Sequence, residues 1–230
     1  MSNVTVNIVV EGPSERNFIQ SVVAPNLGMQ GIFVMPSVVG KAGHKGGNVK
    51  FERVFTDIEN YLKQRDDTVV STMVDYFRLD TNWPGMDEIR RRLNTGETIP
   101  LDEKSQILQQ ATFEEVKSKL PHIAQLEDRF IPYIQMHEFE ALLFSDSGIL
   151  SKRMGIDLNT VQLVVDEYET PEHINTDPTK APSKRIEQLA GKYKKVRQSL
   201  PIAQEIGLSK IREECRLFNQ WLNDFEAKVG

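Results

Sequence analysis

Two apolar spacings alternate over the first eighty residues. Val4-Thr5-Val6-Asn7-Ile8-Val9-Val10 is β-branched and almost continuously apolar, which predicts a strand buried on both faces of a parallel sheet. Glu11-Gly12-Pro13-Ser14-Glu15 interrupts it. Pro13 suits the first turn of a helix whose inward stripe is Phe18, Ile19, Val22 and Val23. A second strand is predicted over 32–39. Phe51, Val54, Phe55, Ile58 and Leu62 then recur at helical spacing, predicting a helix over 50–64. Residues 68–77 form another compact apolar strand, with Asp75 at the end of its apolar run. Strand, helix, strand, helix, strand is the order of a Rossmann-like, mostly parallel sheet flanked by helices.

After residue 80 the pattern loosens. Thr81-Asn82-Trp83-Pro84-Gly85 reads as a turn, and helices are predicted over 86–93 and 104–120. A fourth strand is expected over 129–136, followed by a short helix over 138–144. Residues 166–184, rich in Pro, Thr, Asp and Glu, predict an extended loop. A final helix over 209–228 puts Ile211, Cys215, Phe218, Leu222 and Phe225 on one stripe. The expected organisation is an α/β core over 1–150 with a helical insertion around 84–120. A helical extension over 151–230 then packs on that core. No internal repeat or low-complexity tract is visible.

Composition narrows the classes. The net charge of −5 excludes a protein that coats nucleic acid by bulk electrostatics, while 28 Lys and Arg leave room for a local basic groove. Cys215 is the only cysteine, so an intrachain disulfide and a cysteine-based zinc site are both excluded; it reads as a small core residue. Residues 1–7 carry no basic region leading into an apolar run, and no stretch approaches membrane-spanning length. A cytoplasmic protein is expected.

The sharpest chemical feature is Glu11 at the exit of the first strand, with Glu15 four residues on. Ligands of open α/β sheets gather at the carboxyl ends of the strands, so both acids could face one crevice. An acid in a first helical turn can equally complement the helix dipole, which is the plain account of Glu15. Asp75 repeats the arrangement on a later strand, with Asp80 beyond it. Hard oxygen ligands of this kind suit Mg²⁺ or Mn²⁺. In His137-Glu138-Phe139-Glu140 the two acids point differently whether the segment is strand or helix, so one faces the crevice and the other caps or is solvated. His137 is open between a general acid, an orienting group and a structural histidine. Lys41, His44, Lys45 and Lys50, in and beside a loop with four glycines over 40–48, could grip a phosphate backbone. With no Gly-Lys-Ser or Gly-Lys-Thr, that loop is not a nucleotide-binding P-loop. Ala181-Pro182-Ser183 suits a helix start at which Lys184 and Arg185 could hold an anion. Trp83 is a core aromatic or a base-stacking platform, with core the first choice.

An apolar strand ending in Glu11-Gly12-x-x-Glu15, with a later strand ending in Asp75, resembles the Toprim pattern of topoisomerases, primases and nucleases of the overcoming-lysogenization-defect type. More closely, Val10-Glu11-Gly12-Pro13-Ser14-Glu15, Asp75-Tyr76-Phe77, the stretch over 80–85, His137-Glu138-Phe139-Glu140-Ala141-Leu142-Leu143-Phe144 and Ala181-Pro182-Ser183-Lys184-Arg185 resemble the DUF4276 proteins. The resemblance spans about residues 4 to 190. It implies a Toprim-like nuclease centre dependent on Mg²⁺ or Mn²⁺, with Glu11 as catalytic acid or base and Asp75 as a metal ligand. Glu15 assists and Lys184 stabilises transition-state charge. Toprim proteins carry Asp-x-Asp where this chain has Phe77 at the second position, leaving Asp80, Glu138 and Glu140 as candidate metal ligands.

The resemblance also implies a nucleic-acid substrate, DNA first, and an ABC- or AAA-type ATPase partner encoded nearby in bacterial defence. A homodimer is a further possibility. Two other classes stay open: a non-catalytic partner module of an ATPase complex, and a phosphotransferase or phosphatase acting on a small nucleotide.

Overall fold

The computed structural model describes residues 3–40, 49–174 and 178–229 of the 230-residue chain. β1 (Val4–Val10) leads into a helical rod built from α1 (Pro13–Phe18), a π turn (Ile19–Val23) and α2 (Ala24–Gly28). Pro25 explains the wide turn. It lacks an N–H, and its ring would press on the carbonyl four residues back. The Ala24 N–H reaches five residues back to the Ile19 carbonyl, opening the helix just before it.

β2 (Ile32–Val38), α3 (Phe51–Gln64) and β3 (Thr68–Asp75) follow where their periodicities predict them. The sheet order is β2-β1-β3-β4, every pairing parallel. α1 and α2 cover one face and α3 the other, giving the mostly parallel α/β architecture with flanking helices expected above. α4 (Met86–Asn94) and α5 (Leu101–Lys119) pack on the α3 face. α6 (Leu126–Arg129) then delivers the chain to the far edge.

The fourth strand differs from expectation. Pro132 splits it into β4 (Phe130–Ile131) and β5 (Ile134–Gln135), both paired with β3. The Thr72 hydroxyl fills the gap in the ladder, accepting from the Tyr133 N–H and donating to the Tyr133 carbonyl, each at 2.9 Å. The short helix after it is a 3₁₀ helix (Phe139–Ser145).

Beyond residue 146 the chain is helical, with α7 (Ser147–Met154), α8 (Leu158–Asp166), α9 (Pro182–Ala190) and α10 (Lys195–Ile206). α9 begins inside the stretch expected to be loop, and α7, α8 and α10 have no counterpart among the individually predicted helices. The expected terminal helix is two, α11 (Leu208–Glu214) and α12 (Arg216–Glu226), with Cys215 extended between them. Both terminal helices return to the α1 face: Ile211, Phe218, Trp221 and Phe225 share a core with Val6, Ile8 and Phe18. Trp83 is buried against Phe51 and donates to the Thr112 hydroxyl, a core role. Among the described residues no helix is long and apolar enough to cross a membrane.

Candidate acidic site

The chain leaves β1 over one face of the sheet and comes back to β3 over the other. The crevice of such an order opens at the carboxyl ends of β1 and β3, the topological switch point. Val10 lies opposite Met73 in the ladder, and the Glu11 N–H donates to the Met73 carbonyl at 3.3 Å. Glu11 and Asp75 therefore leave neighbouring strands at the same edge. α1 adds Glu15 and the 3₁₀ helix adds Glu140.

Asp75 and Glu140 are 0% exposed and Glu15 2%. The Asp75 Oδ1 accepts from the Phe139 N–H at 2.9 Å, and the Glu140 Oε1 accepts from the Tyr193 hydroxyl at 3.2 Å. Glu11 Oε2, Glu15 Oε1 and Asp75 Oδ2 remain shut from solvent with no hydrogen-bond donor among the described residues, and Glu140 Oε2 meets a lysine ammonium at 2.9 Å. Buried polar atoms are ordinarily satisfied, so three orphans beside an ammonium-paired oxygen in one cluster of acids mark a place for a cation.

Two cations unforeseen from the sequence face these acids. The Lys195 ammonium lies 2.9 Å from Glu140 Oε2, 3.5 Å from Asp75 Oδ2 and 3.7 Å from Glu15 Oε1. Arg78 Nε donates to Glu11 Oε1 at 3.0 Å. The one local hint for Lys195 is its position as the first residue of α10, where a positive charge opposes the helix dipole.

Burial pushes the Asp75 carboxyl well above the usual carboxylate range; Lys195 opposes the shift, while Glu15, Glu11 and Glu140 add to it. Burial raises Glu140 to about 7, with Lys195 again opposing. Glu11 is raised by burial and by the neighbouring Glu15 charge. Desolvation works against the Lys195 charge, but Asp75, Glu140 and Glu15 outweigh it and raise its pKa.

Gly12 is part of the same design. A Cβ there would stand 3.1 Å from the Glu15 Oε2, so a side chain at this position would press on the carboxylate.

The other predicted residues are engaged elsewhere. The Glu138 Oε2 accepts from the Ser183 N–H at 3.0 Å, tying down the start of α9, while Glu140 faces the cluster. The Asp80 Oδ1 accepts from the Asn82 N–H at 3.0 Å in a local turn. Lys184 reaches Glu187 at 2.8 Å, and Arg185 donates to the Tyr168 hydroxyl at 2.7 Å. Phe77, in the second Asp-x-Asp position, packs on the His137 ring. His137 has a left-handed backbone (φ 62°), its Nδ1 lies 3.0 Å from the Glu172 carbonyl, and its own carbonyl accepts from the Phe77 N–H. Burial lowers its pKa to about 4, so it is neutral and acts as a corner piece that aims the acids following it. Lys41, His44 and Lys45 lie outside the described residues.

Hard carboxylate oxygens with unfilled acceptor capacity fit Mg²⁺ or Mn²⁺. Among the described residues no three acid, imidazole or thiol groups stand closely enough to hold an ion as they are. The acids are instead spaced around the Lys195 ammonium.

The model of a domain of unknown function, DUF4276, matches residues 10–226. Among solved structures, the chain is similar to the C-terminal region of the OLD protein of Xanthomonas campestris pv. campestris, at 18% identity and a TM-score of 0.36, over 97% of this chain and 95% of that one. No curated protein matches.

Proposed function

The chain belongs to the DUF4276 family, and from that premise and the buried acids we propose that it is a divalent-metal-dependent, Toprim-like nuclease that hydrolyses nucleic-acid phosphodiesters. The observation that carries this reading is the convergence of four buried carboxylate oxygens at the β1/β3 switch point, three of them without a hydrogen-bond donor among the described residues.

Glu11, Glu15, Asp75 and Glu140 are the residues that would hold Mg²⁺ or Mn²⁺. Such an ion supplies Lewis-acid polarisation of a phosphoryl oxygen and charge neutralisation at the leaving oxygen. Glu11 is the most solvent-accessible of the four acids, its side chain 15% exposed. It is the group best placed to take the proton of an attacking water, and burial raises its pKa above the ordinary carboxylate value, which makes it the stronger base. Arg78 holds Glu11 in position from a partly exposed side chain and so borders the approach to the crevice. Tyr193 and the Phe139 N–H orient Glu140 and Asp75, fixing which oxygens stay free. Asp80, Glu138, Lys184 and Arg185 belong to the surround: Glu138 anchors the helix that carries Lys184, from which basic groups can meet the polyanion. In this proposal the substrate is DNA first, the partner a nearby-encoded ABC- or AAA-type ATPase, and the setting bacterial defence in the cytoplasm.

Supercoiled plasmid, linear duplex, single-stranded DNA and RNA, each incubated with Mg²⁺ or Mn²⁺, test the reading. Cleavage by the wild type and a loss of about a hundredfold or more in Glu11→Gln and Asp75→Asn are expected, the scale of removing one preorganised electrostatic group. Cleavage that survives both substitutions would overturn this centre. No cleavage of any substrate, with or without the ATPase, would turn the reading to a non-catalytic partner module.

A further inference from the structure

Three carboxylate oxygens stand at ion-pair distance from the Lys195 ammonium: Glu140 Oε2, Asp75 Oδ2 and Glu15 Oε1. Asp75 Oδ2 and Glu15 Oε1 have no hydrogen-bond donor among the described residues, and Glu140 Oε2 is paired with the ammonium itself. The ammonium thus stands at the point from which the free lone pairs can be reached. We propose that Lys195 is a tethered competitor of the divalent ion: its ammonium neutralises the cluster when no ion is bound and withdraws toward solvent when one binds. This assignment rests on the metal-binding reading above.

Three observations carry it. Charge is the first. Glu15, Asp75 and Glu140 are buried and Glu11 is partly buried; among the described residues the cations paired with these acids are Lys195 and Arg78, and Arg78 pairs with Glu11. Without Lys195, Glu15, Asp75 and Glu140 would have no cation among the described residues beside them, an arrangement that buried carboxylates avoid. Position is the second. A lysine at the first residue of α10 opposes that helix's dipole, so its placement there answers the carboxylates, not the helix. Mobility is the third. The Lys195 side chain is 35% exposed although its three partners are 3% exposed or less, and a four-carbon stem open on one side can swing out. An ammonium and a divalent ion drawn to the same three oxygens repel each other strongly in a poorly solvated pocket. In this proposal the entering ion displaces the ammonium, and the measured affinity is reduced by the fraction of molecules in which the lysine is bound.

Mn²⁺ titration calorimetry on the full chain tests this, with the wild type, Lys195→Met and Lys195→Arg. Lys195→Met, which keeps the bulk and removes the charge, is expected to bind Mn²⁺ at least tenfold more tightly. In chelator it should melt below the wild type and recover with Mn²⁺, because the ion then replaces the missing charge. Lys195→Arg, which keeps the charge, is expected to stay within about threefold of the wild type. Wild-type-like or weaker binding by Lys195→Met overturns the competition while leaving the metal site standing. Absence of binding in all three proteins removes the metal site and the competition together.

An acetylating reagent read by mass spectrometry provides a test on the wild type alone. Mn²⁺ is expected to raise modification of Lys195 severalfold, and unchanged or falling modification would show that the ammonium stays where it is. Tighter Mn²⁺ binding by Lys195→Met in a protein that cuts no nucleic acid would uphold the competition and reject the nuclease.

Discussion

Glu172 and Asp75 are both carboxylates almost without solvent contact, at 1% and 0% exposed, yet they sit in opposite circumstances. Each oxygen of Glu172 accepts a backbone N–H at 2.9 Å, from Leu217 and Phe218 in the first turn of α12. There Glu172 does from a distance what an N-cap residue does from within the chain, with the helix dipole favouring its charge. Asp75 has one oxygen satisfied and the other facing a cation across 3.5 Å, and Glu15 keeps an oxygen with no hydrogen-bond donor among the described residues as well. One buried acid is consumed by the fold; the cluster of acids retains capacity. Burial alone therefore does not distinguish a structural carboxylate from a functional one. The count of unused lone pairs does.

Removing Glu172 should give the largest effect on stability. Glu172→Ala leaves two buried amides at the start of α12 without an acceptor, and about 3 kcal/mol of stability should be lost at pH 7. Denaturant unfolding measures this, and Mn²⁺ affinity below the unfolding transition should not change. Altered Mn²⁺ affinity in the folded variant would erase the contrast between the two acids.

A pH series sharpens the same point. Burial raises the Glu172 pKa from 4.5 to about 7. The folded state then binds the proton more tightly than the unfolded chain, so this group's contribution is fully present below pH 4.5 and lost as pH rises to about 7. The stability difference between wild type and Glu172→Gln should accordingly shrink, by roughly 3 kcal/mol, from pH 4.5 to 8. His137, whose pKa of about 4 gives the opposite slope between pH 4 and 6.5, is common to both proteins and cancels. A difference that is flat with pH would remove the titration from Glu172.

The smallest effect should come from Gly12→Ala. The added methyl meets the Glu15 carboxylate at 3.1 Å and must push it by a few tenths of an ångström. Mn²⁺ affinity is expected to fall severalfold, about 1 kcal/mol, with little change in melting temperature, as when a supporting neighbour of a ligand is disturbed. Equal losses in stability and affinity would make Gly12 a packing glycine instead.

Much of this arrangement is legible in local pattern. β1, α3 and β3 follow from runs of β-branched residues and from apolar positions at helical spacing, because a strand or helix must bury its own face wherever it lies. Glu11 and Asp75 stand out for a related reason: an acid closing a buried strand is placed at a sheet edge by the chain itself. Glu138 and Glu140 could be separated into different directions, but their spacing did not say which would turn inward. The left-handed backbone at His137 and the Ser183 N–H waiting for Glu138 decide that.

Lys195 is the clearest case of what local pattern lacks. Its charge, its place in Tyr193-Lys194-Lys195 and its flanking residues are those of any solvated helix start. Only the packing of α10 against α1 brings it to Glu15, Asp75 and Glu140, residues 180, 120 and 55 positions away in the chain. Local pattern reaches β1, α3, β3 and the acids at the strand ends, since these depend on neighbours within a few residues. Which cation meets those acids follows from how distant helices pack, because charge pairing acts through space at a few ångströms and leaves no period in the chain.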